Sequence, residues 1–374
     1  MTKNPFVLVG DIPEPYFCDR VKESEQIIRS ITNGVNICLV SPRRMGKSKL
    51  VKHCYRQEAL KDFYCFYIDI LHTASARDLA FTFGRCVFEA LQTRSEKLAT
   101  DFLRAIRSLS ATFSVNPITG APAFSLSLGE HIDIEYTFEN IFQYLEKADM
   151  PCIVCFDEFQ QVANYPEKNT EALLRSHIQH LSNANFIFSG SKRHMLYEMF
   201  SNHNRPFYNS TRYLELQAIT EEAYRSFAQS WFSQYNKTVN DEMMHIIYTL
   251  SEGNTYTLQK ICHELFASLP DGGNADREML SSVLDNIIEE ATPLYERQLS
   301  HIPERQQQLL FAIAKEGKVE KIMSGEFIRK HKLSSASSVQ NAVKRLIEMD
   351  LISYENKYYS VGDIFFRLYL QKIG

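Results

Sequence analysis

No run of apolar residues in the sequence is long enough to cross a bilayer, which argues against a helix-anchored membrane protein and leaves the membrane out of the expected partners. Residues 1–10 lack the basic start and apolar block of a secretion signal, so a cytoplasmic location is expected. No second Cys-x-x-C accompanies Cys152 and Cys155, which removes the pattern of a zinc site, and the pair lies inside an apolar run. Cys38 and Cys65 also sit in apolar runs, and the eight cysteines are read as reduced, mostly core residues. Neither sign of charge dominates: 41 Lys/Arg face 45 Asp/Glu, a net −4. The balance is uneven along the chain, because residues 303–374 carry twelve basic and eight acidic side chains, leaving −8 for the rest. A basic tail on an acidic body points toward a polyanionic partner. The 44% hydrophobic and 23% charged fractions are those of a soluble globular protein, and 374 residues are expected to divide into two or three domains.

One stretch is missing a glycine at a telling position. Ile37-Cys38-Leu39-Val40-Ser41-Pro42-Arg43-Arg44-Met45-Gly46-Lys47-Ser48-Lys49-Leu50 runs a short apolar strand into a tight loop and then a helix. The loop fits the phosphate-binding pattern G-x-x-x-x-G-K-[ST], except that Ser41 replaces the first glycine. Loop N–H groups and a helix N-terminus form a concave nest for anionic oxygens. Ser41, Pro42, Arg43, Arg44, Met45, Gly46, Lys47, Ser48 and Lys49 are therefore the candidate nucleotide-binding residues. In this pattern Gly46 allows close backbone approach, Lys47 offers a cation to the β- and γ-phosphates, and the Ser48 hydroxyl ligates Mg²⁺.

A second motif stands ~110 residues later. Cys152-Ile153-Val154-Cys155-Phe156-Asp157-Glu158-Phe159-Gln160 is an apolar strand delivering two adjacent acids. Asp157 is placed to hold Mg²⁺ through water, and Glu158 to polarise the attacking water. A further buried strand, Asn185–Ser191, ends in Ser189-Gly190-Ser191. Either serine stands where a γ-phosphate sensor is expected, the competing reading being an ordinary strand-to-helix turn. Arg193, Arg205 and Arg212 are candidates to neutralise transition-state charge, in cis or in a neighbouring subunit. Each has the alternative of a surface or ion-paired arginine.

Between these motifs the pattern predicts helices over about 19–32, 47–59, 76–93, 95–110, 135–148 and 170–182, with Asp19 capping the first. Phe63–Ile70 reads as a buried strand with Asp69 as a structural cap, and Phe113–Leu128 as a hairpin inserted near 112–129. Phe17 is positioned either to meet a base or simply to pack. Strand–helix alternation implies an α/β parallel sheet covered on both faces, with both motifs at strand carboxyl ends. The expected division is a P-loop NTPase core over 1–216, an all-α lid over 217–302 and a third domain over 303–374. In that last segment three helices precede a hairpin at Leu351–Val361, the grammar of a winged helix. The last of these three helices carries Ser337, Ser338, Gln340, Asn341, Lys344 and Arg345, suited to phosphate and base-edge contacts. Winged helices also dock proteins, so DNA or a protein partner stays open.

Ser41–Ser48, Phe156-Asp157-Glu158-Phe159, Phe188-Ser189-Gly190-Ser191 and Asp363-Ile364-Phe365-Phe366-Arg367-Leu368 together resemble the archaeal-type ATPase family. That family falls in the AAA+-related STAND group, with relatives among origin-recognition ATPases. Phe17 to Arg20 with Glu23 resembles its opening segment. The resemblance spans nearly the whole chain. It implies an additional-strand, AAA+-like P-loop domain, a helical lid and a C-terminal winged helix, with Lys47, Ser48, Asp157 and Glu158 in the roles above. Three departures are visible: Ser41 for glycine, Gly253-Asn254-Thr255 where the lid motif reads Gly-x-Pro, and the arginine after Phe-Tyr displaced to Arg212.

These residues point to a Mg²⁺-dependent ATPase acting slowly as a molecular switch, with nucleotide state coupled to the winged helix; a nucleotide-dependent oligomer stays open. The alternative is a nucleotide-holding regulatory or DNA-binding module with negligible hydrolysis.

Overall fold

Short runs of branched and aromatic residues, bounded by turn residues, become the strands of a buried parallel sheet. The computed structural model describes residues 4–106, 109–115, 122–128, 134–355 and 357–374. The first of two units comprises Val9–Thr220 with Asn254–Tyr256; the second comprises residues 4–8, Glu221–Gly253 and Thr257–Gly374. The lid helices and the winged helix thus share a unit, and residues 4–8 belong with them rather than with the core.

In the first unit the order is α1 (Val21–Thr32), β1 (Ile37–Val40), α2 (Lys47–Cys54), β2 (Tyr64–Asp69), α3 (Ala76–Arg94), α4 (Glu96–Ala105), β3 (Leu109–Val115), β4 (Pro122–Leu128), α5 (Ile134–Glu146), β5 (Cys152–Asp157), α6 (Thr170–Ile178), β6 (Ala184–Gly190), α7 (Arg193–Ser201) and β7 (Arg212–Glu215). The sheet runs β2-β5-β6-β1-β7, all parallel. The additional strand β6 lies between the loop-bearing β1 and the acid-bearing β5, as the fold class expects.

Alternation along each strand decides which face a side chain buries. Cys38 and Val40, Cys152, Val154 and Phe156, and Phe186 and Phe188 join one core. Ile37 and Leu39, Ile153 and Cys155, and Ile187 join the other, under α1 and α2. Cys152 and Cys155 therefore point to opposite faces, and all eight cysteines are free thiols. The first core is aromatic. Phe188 lies 4.6 Å from Phe159 and 5.1 Å from both Phe200 and Phe207, ring centre to ring centre. Phe188→Ala is expected to cost about 4 kcal/mol of unfolding free energy, the upper range for a fully buried ring. Urea denaturation followed by circular dichroism measures it, and a loss below about 1 kcal/mol would mean that this cluster does not hold the sheet together.

Three helices end earlier than their periodicity suggests; α6 stops at Ile178, where the His180 and Leu181 N–H groups bond three residues back, to His177 and Ile178. α2 stops at Cys54 because the Arg56 and Gln57 N–H groups bond three residues back, to His53 and Cys54, tightening into a turn. α4 stops at Ala105, since Leu109 and Ser110 already pair with Leu128 and Ser127 in a two-stranded antiparallel ribbon. The expected turn of that hairpin, residues 116–121, lies outside the described residues, as do 107–108 and 129–133. α1 is not capped by Asp19: its first position follows Arg20, and both residues take left-handed φ values of 55° and 69°.

The second unit holds α8 (Glu221–Gln234), α9 (Asp241–Ser251), α10 (Thr255–Ser268), α11 (Arg277–Ser300), α12 (Glu304–Glu316), β8 (Lys318–Val319), α13 (Gly325–Lys330), α14 (Ala336–Glu348), β9 (Ile352–Glu355), β10 (Tyr358–Val361) and α15 (Ile364–Ile373). Side chains of Asn240, Asp276, Ser324, Ser335 and Asp363 each accept a backbone N–H at a helix start, which satisfies otherwise unpaired donors. The antiparallel sheet β8-β10-β9 completes the winged helix. α15 packs its aromatic face on α11, with Tyr295 4.9 Å from Phe366 and 5.3 Å from Tyr369. Glu252, left-handed at φ 49°, closes α9, and its carboxylate is gripped by Arg367 of α15 and by Lys318 of β8 at 2.6 Å. Burial alone would raise this carboxyl; the two cations hold it below the ordinary glutamate range. Among the described residues no helix is long and apolar enough to cross a membrane.

Candidate functional site

The loop between β1 and α2 turns on two left-handed residues, Arg44 at φ 64° and Gly46 at φ 90°. Gly46 immediately precedes α2, and its φ is one that side-chain-bearing residues resist. A Cβ there would meet nothing within 4 Å, so glycine is needed for backbone conformation. Ser41 is not among the left-handed residues, which explains why this position carries a serine without strain. Its buried hydroxyl donates to the Pro42 carbonyl at 2.8 Å.

Lys47 is almost fully buried, and its ammonium donates to the Ser41 carbonyl at 3.2 Å, the Ser41 hydroxyl at 3.3 Å and the Pro42 carbonyl at 3.4 Å. Burial lowers its pKa from the usual lysine value, opposed by the fields of Glu158 and Asp157. The cation is thus held by neutral acceptors beside two acids, a poised arrangement for an arriving anion.

The two distant motifs meet here. Ser48 donates its hydroxyl hydrogen to Asp157 Oδ2 at 2.8 Å. Asp157, buried at the end of β5, also accepts from the Tyr67 hydroxyl on Oδ2 and from the Glu158 N–H on Oδ1 at 3.1 Å. Burial pushes the Tyr67 phenol far above the ordinary tyrosine range, with Asp157 adding to the effect, so it stays a donor. Glu158 takes the left-handed φ of 59° directly after the strand. Its Oε2 accepts from the Ser191 hydroxyl at 2.8 Å, more loosely from the Ser191 N–H at 3.4 Å, and from the Gln160 amide. Lys47, Ser48, Asp157, Glu158 and Ser191 are therefore assembled at one edge of the sheet.

The other expected residues make different contacts. Arg212 pairs in register with Ile37, at the start of β1, whereas the loop leaves from Val40 at its end. Three strand steps separate them, roughly 10 Å, and Arg212 donates instead to Ser30 Oγ at 2.9 Å. As a transition-state cation for its own chain it is misplaced, because β7 runs parallel to β1 and carries it to the far edge. Arg193 pairs with Glu215 at 2.6 Å, and Arg205 with Glu171. Lys49 reaches back to the Gly10 carbonyl. The Ser189 hydroxyl is buried with no hydrogen-bond partner among the described residues, and Phe17 stacks flat on His53 at 3.9 Å. Asp69 caps its turn through the Leu71 N–H.

Several contacts around the loop join residues far apart in the linear sequence. Arg20, buried, donates to Glu23 at 2.8 Å, to the Gln217 carbonyl at 2.7 Å and to the Met45 carbonyl at 3.3 Å, tying the loop to the end of β7. The Tyr256 N–H donates to the Arg44 carbonyl at 3.1 Å, Asn254 reaches the Arg43 carbonyl at 3.4 Å, and the Arg44 guanidinium lies over the Tyr256 ring at 4.8 Å. The lid motif, lacking its proline, thus touches the loop backbone itself.

A divalent cation fits this donor set. The Ser48 hydroxyl and Asp157 carboxylate are adjacent hard oxygens, and Mg²⁺ characteristically takes one or two such ligands together with phosphate oxygens and water. Among the described residues no group of three or more His, Cys, Asp or Glu is arranged as an all-protein cage. In the winged helix, Ser337, Gln340, Asn341, Lys344 and Arg345 are exposed along α14, Arg345 pairing with Glu348 at 3.3 Å.

A family model described as "ATPase domain predominantly from Archaea" matches residues 17–261, and one described as "Probable winged helix domain" matches residues 293–372. The fold is similar to that of a Walker-type ATPase of Pyrococcus abyssi, with a TM-score of 0.67, 17% identity, and 98% of this chain and 99% of that one covered. It is also similar to the ORC2 protein of Aeropyrum pernix, solved as ADPNP–ADP complexes (TM-score 0.58, 12% identity, 99% and 97% covered). The ORC1 protein of Aeropyrum pernix in complex with DNA follows at a TM-score of 0.51, with 11% identity and 99% and 96% covered. No curated protein matches the sequence. At these identities the solved structures speak for the fold alone, a P-loop α/β core followed by a winged helix. The family model spans well over half of the chain: the protein belongs to the family of ATPase domains found predominantly in Archaea.

Proposed function

We propose that the chain binds ATP with Mg²⁺ at the β1–α2 loop, hydrolyses it slowly, and works as a switch whose output is the winged helix. The observation that carries this reading is the 2.8 Å contact between Ser48 and Asp157, residues 109 apart in sequence. It supports a shared metal position between the loop and the acids. Loop N–H groups and Lys47 would cradle the phosphates, Arg20 and the 254–256 segment would hold the loop in shape, and Ser48 with Asp157 would hold the cation. The cation supplies charge that offsets what builds up on the phosphate oxygens. Glu158 would accept a proton from the attacking water, and Ser191 would keep its carboxylate aligned. The output side rests on the exposed Ser337, Gln340, Asn341, Lys344 and Arg345 of α14, a surface suited to DNA or a protein partner. The Aeropyrum pernix ORC1 protein, of similar fold, was solved with DNA, which favours nucleic acid for this surface.

Phosphate release from ATP, followed with Mg²⁺ and with the ion chelated, tests the reading. Wild-type protein is expected to release phosphate only with Mg²⁺, and Asp157→Asn to lose at least about tenfold, the usual cost of disturbing a metal-holding carboxylate. Wild-type release at the buffer level, alongside tight ATP binding, would leave the non-hydrolysing module as the answer.

A further inference from the structure

Gln160 is a buried amide, 3% exposed, two residues beyond the acid pair. Its Nε2 donates to Glu158 Oε2, the same oxygen that takes the Ser191 hydroxyl. No donor among the described residues reaches Glu158 Oε1. The carboxylate is thus pinned by one oxygen and open at the other. The other end of the amide, Oε1, is buried and accepts nothing from the described residues. An unpaired buried carbonyl is costly, so the seat must be worth more than the bond it forgoes.

A second observation comes from β6. A Cβ on Gly190 would collide with Gln160 Oε1 and fall 2.8 Å from Leu196 Cδ1. Gly190 is not among the glycines with positive φ, so backbone freedom is not what this position needs. It needs space, and the space is filled by the Gln160 amide. The glycine of Ser189-Gly190-Ser191 and the glutamine of Asp157-Glu158-Phe159-Gln160 are therefore parts of one seat. Glu158 itself stands in a left-handed conformation that costs an ordinary residue energy and persists only when neighbours fix it.

We infer that Gln160 is a positioning residue: lodged against Gly190, it fixes the Glu158 carboxylate by Oε2 and leaves Oε1 to take the proton from water. This rests on the base role proposed for Glu158. A general base works only within hydrogen-bond reach of its proton and in the right orientation, and a carboxylate released from one of two side-chain donors turns away from it. Gln160 acts through Glu158 and lies outside the phosphate-binding loop, so its removal is expected to act on turnover and leave nucleotide affinity alone.

Gln160→Met keeps the volume and removes the donor. Phosphate release at saturating ATP is expected to fall about tenfold, the weight of one charge-assisted hydrogen bond, with ATP affinity within about twofold of wild type. Gly190→Ala, which evicts the amide from the other side, is expected to do the same and serves if Gln160→Met fails to fold. In a Glu158→Gln background Gln160→Met should cost nothing further, because partners acting as a unit are not additive. In nucleotide-free protein with ¹⁵N-labelled glutamine, the Gln160 side-chain NH₂ resonances should move upfield in Glu158→Ala. Gln160→Met turning over at the wild-type rate, or NH₂ resonances indifferent to Glu158→Ala, overturns the inference. Wild-type turnover in Glu158→Gln would instead remove the base assignment on which it stands.

Discussion

Lys47→Ala is expected to weaken ATP binding about 100-fold, the equivalent of one strong charge-assisted contact of about 3 kcal/mol. The ammonium now has only neutral oxygens around it, two carbonyls and a hydroxyl of its own loop. Burial weighs against its charge, and the acids at Asp157 and Glu158 weigh for it. An arriving phosphate offers a full charge at close range, which the loop carbonyls cannot match. Alanine removes this gain and three hydrogen bonds within the loop, and with them the expense of burying the cation. The unfolding midpoint in urea should therefore stay where it is or rise, because a buried cation without a bonded anion is a cost to folding. Labelled-ATP binding by filter retention or calorimetry reads the loss, and retained affinity in the variant would remove the loop from the nucleotide site.

Glu158→Gln is expected to cut steady-state phosphate release by about 10²- to 10⁴-fold, the range general bases contribute, while ATP still binds. The change is nearly isosteric, and a carbonyl oxygen in place of Oε2 can still accept from Ser191 and Gln160. What disappears is the ability to take a proton. Bound nucleotide recovered from the variant should be ATP, and that from wild type ADP. A variant that hydrolyses as fast as wild type would place the base elsewhere.

Much of the site was legible because its chemistry sits on contiguous residues. The apolar run into Ser41–Ser48 and the run into Asp157-Glu158 each announce a strand ending in functional groups, and the hydroxyl–carboxylate contact joins them as expected. What composition could not show was lateral position. The order β2-β5-β6-β1-β7 is a property of which strands lie side by side, and strands of similar apolar content are interchangeable on paper. Arg212 was misplaced for this reason: nothing in its neighbours says which end of the sheet it occupies. Tyr67 pairs in register with Cys155, and only that pairing brings its hydroxyl to Asp157. Arg20 has partners 25 and 197 residues away, beyond any local pattern, and the consecutive left-handed pair Asp19–Arg20 defeated the expectation of an aspartate cap.

The strand β1 has both of its neighbours far downstream: Ile37 sits opposite Ile187 on one side and Arg212 on the other. During synthesis by a ribosome adding about 5–20 residues per second, that gap lasts on the order of 10 s. Throughout it Ile37–Val40 has no strand to pair with on either edge, and an unpaired apolar strand invites contact with other nascent chains. The loop that is to hold the nucleotide cannot take shape before then either, since it hangs from that strand. Birth order along the chain thus makes the phosphate-binding loop one of the first segments of its unit to be made and one of the last of that unit to be finished.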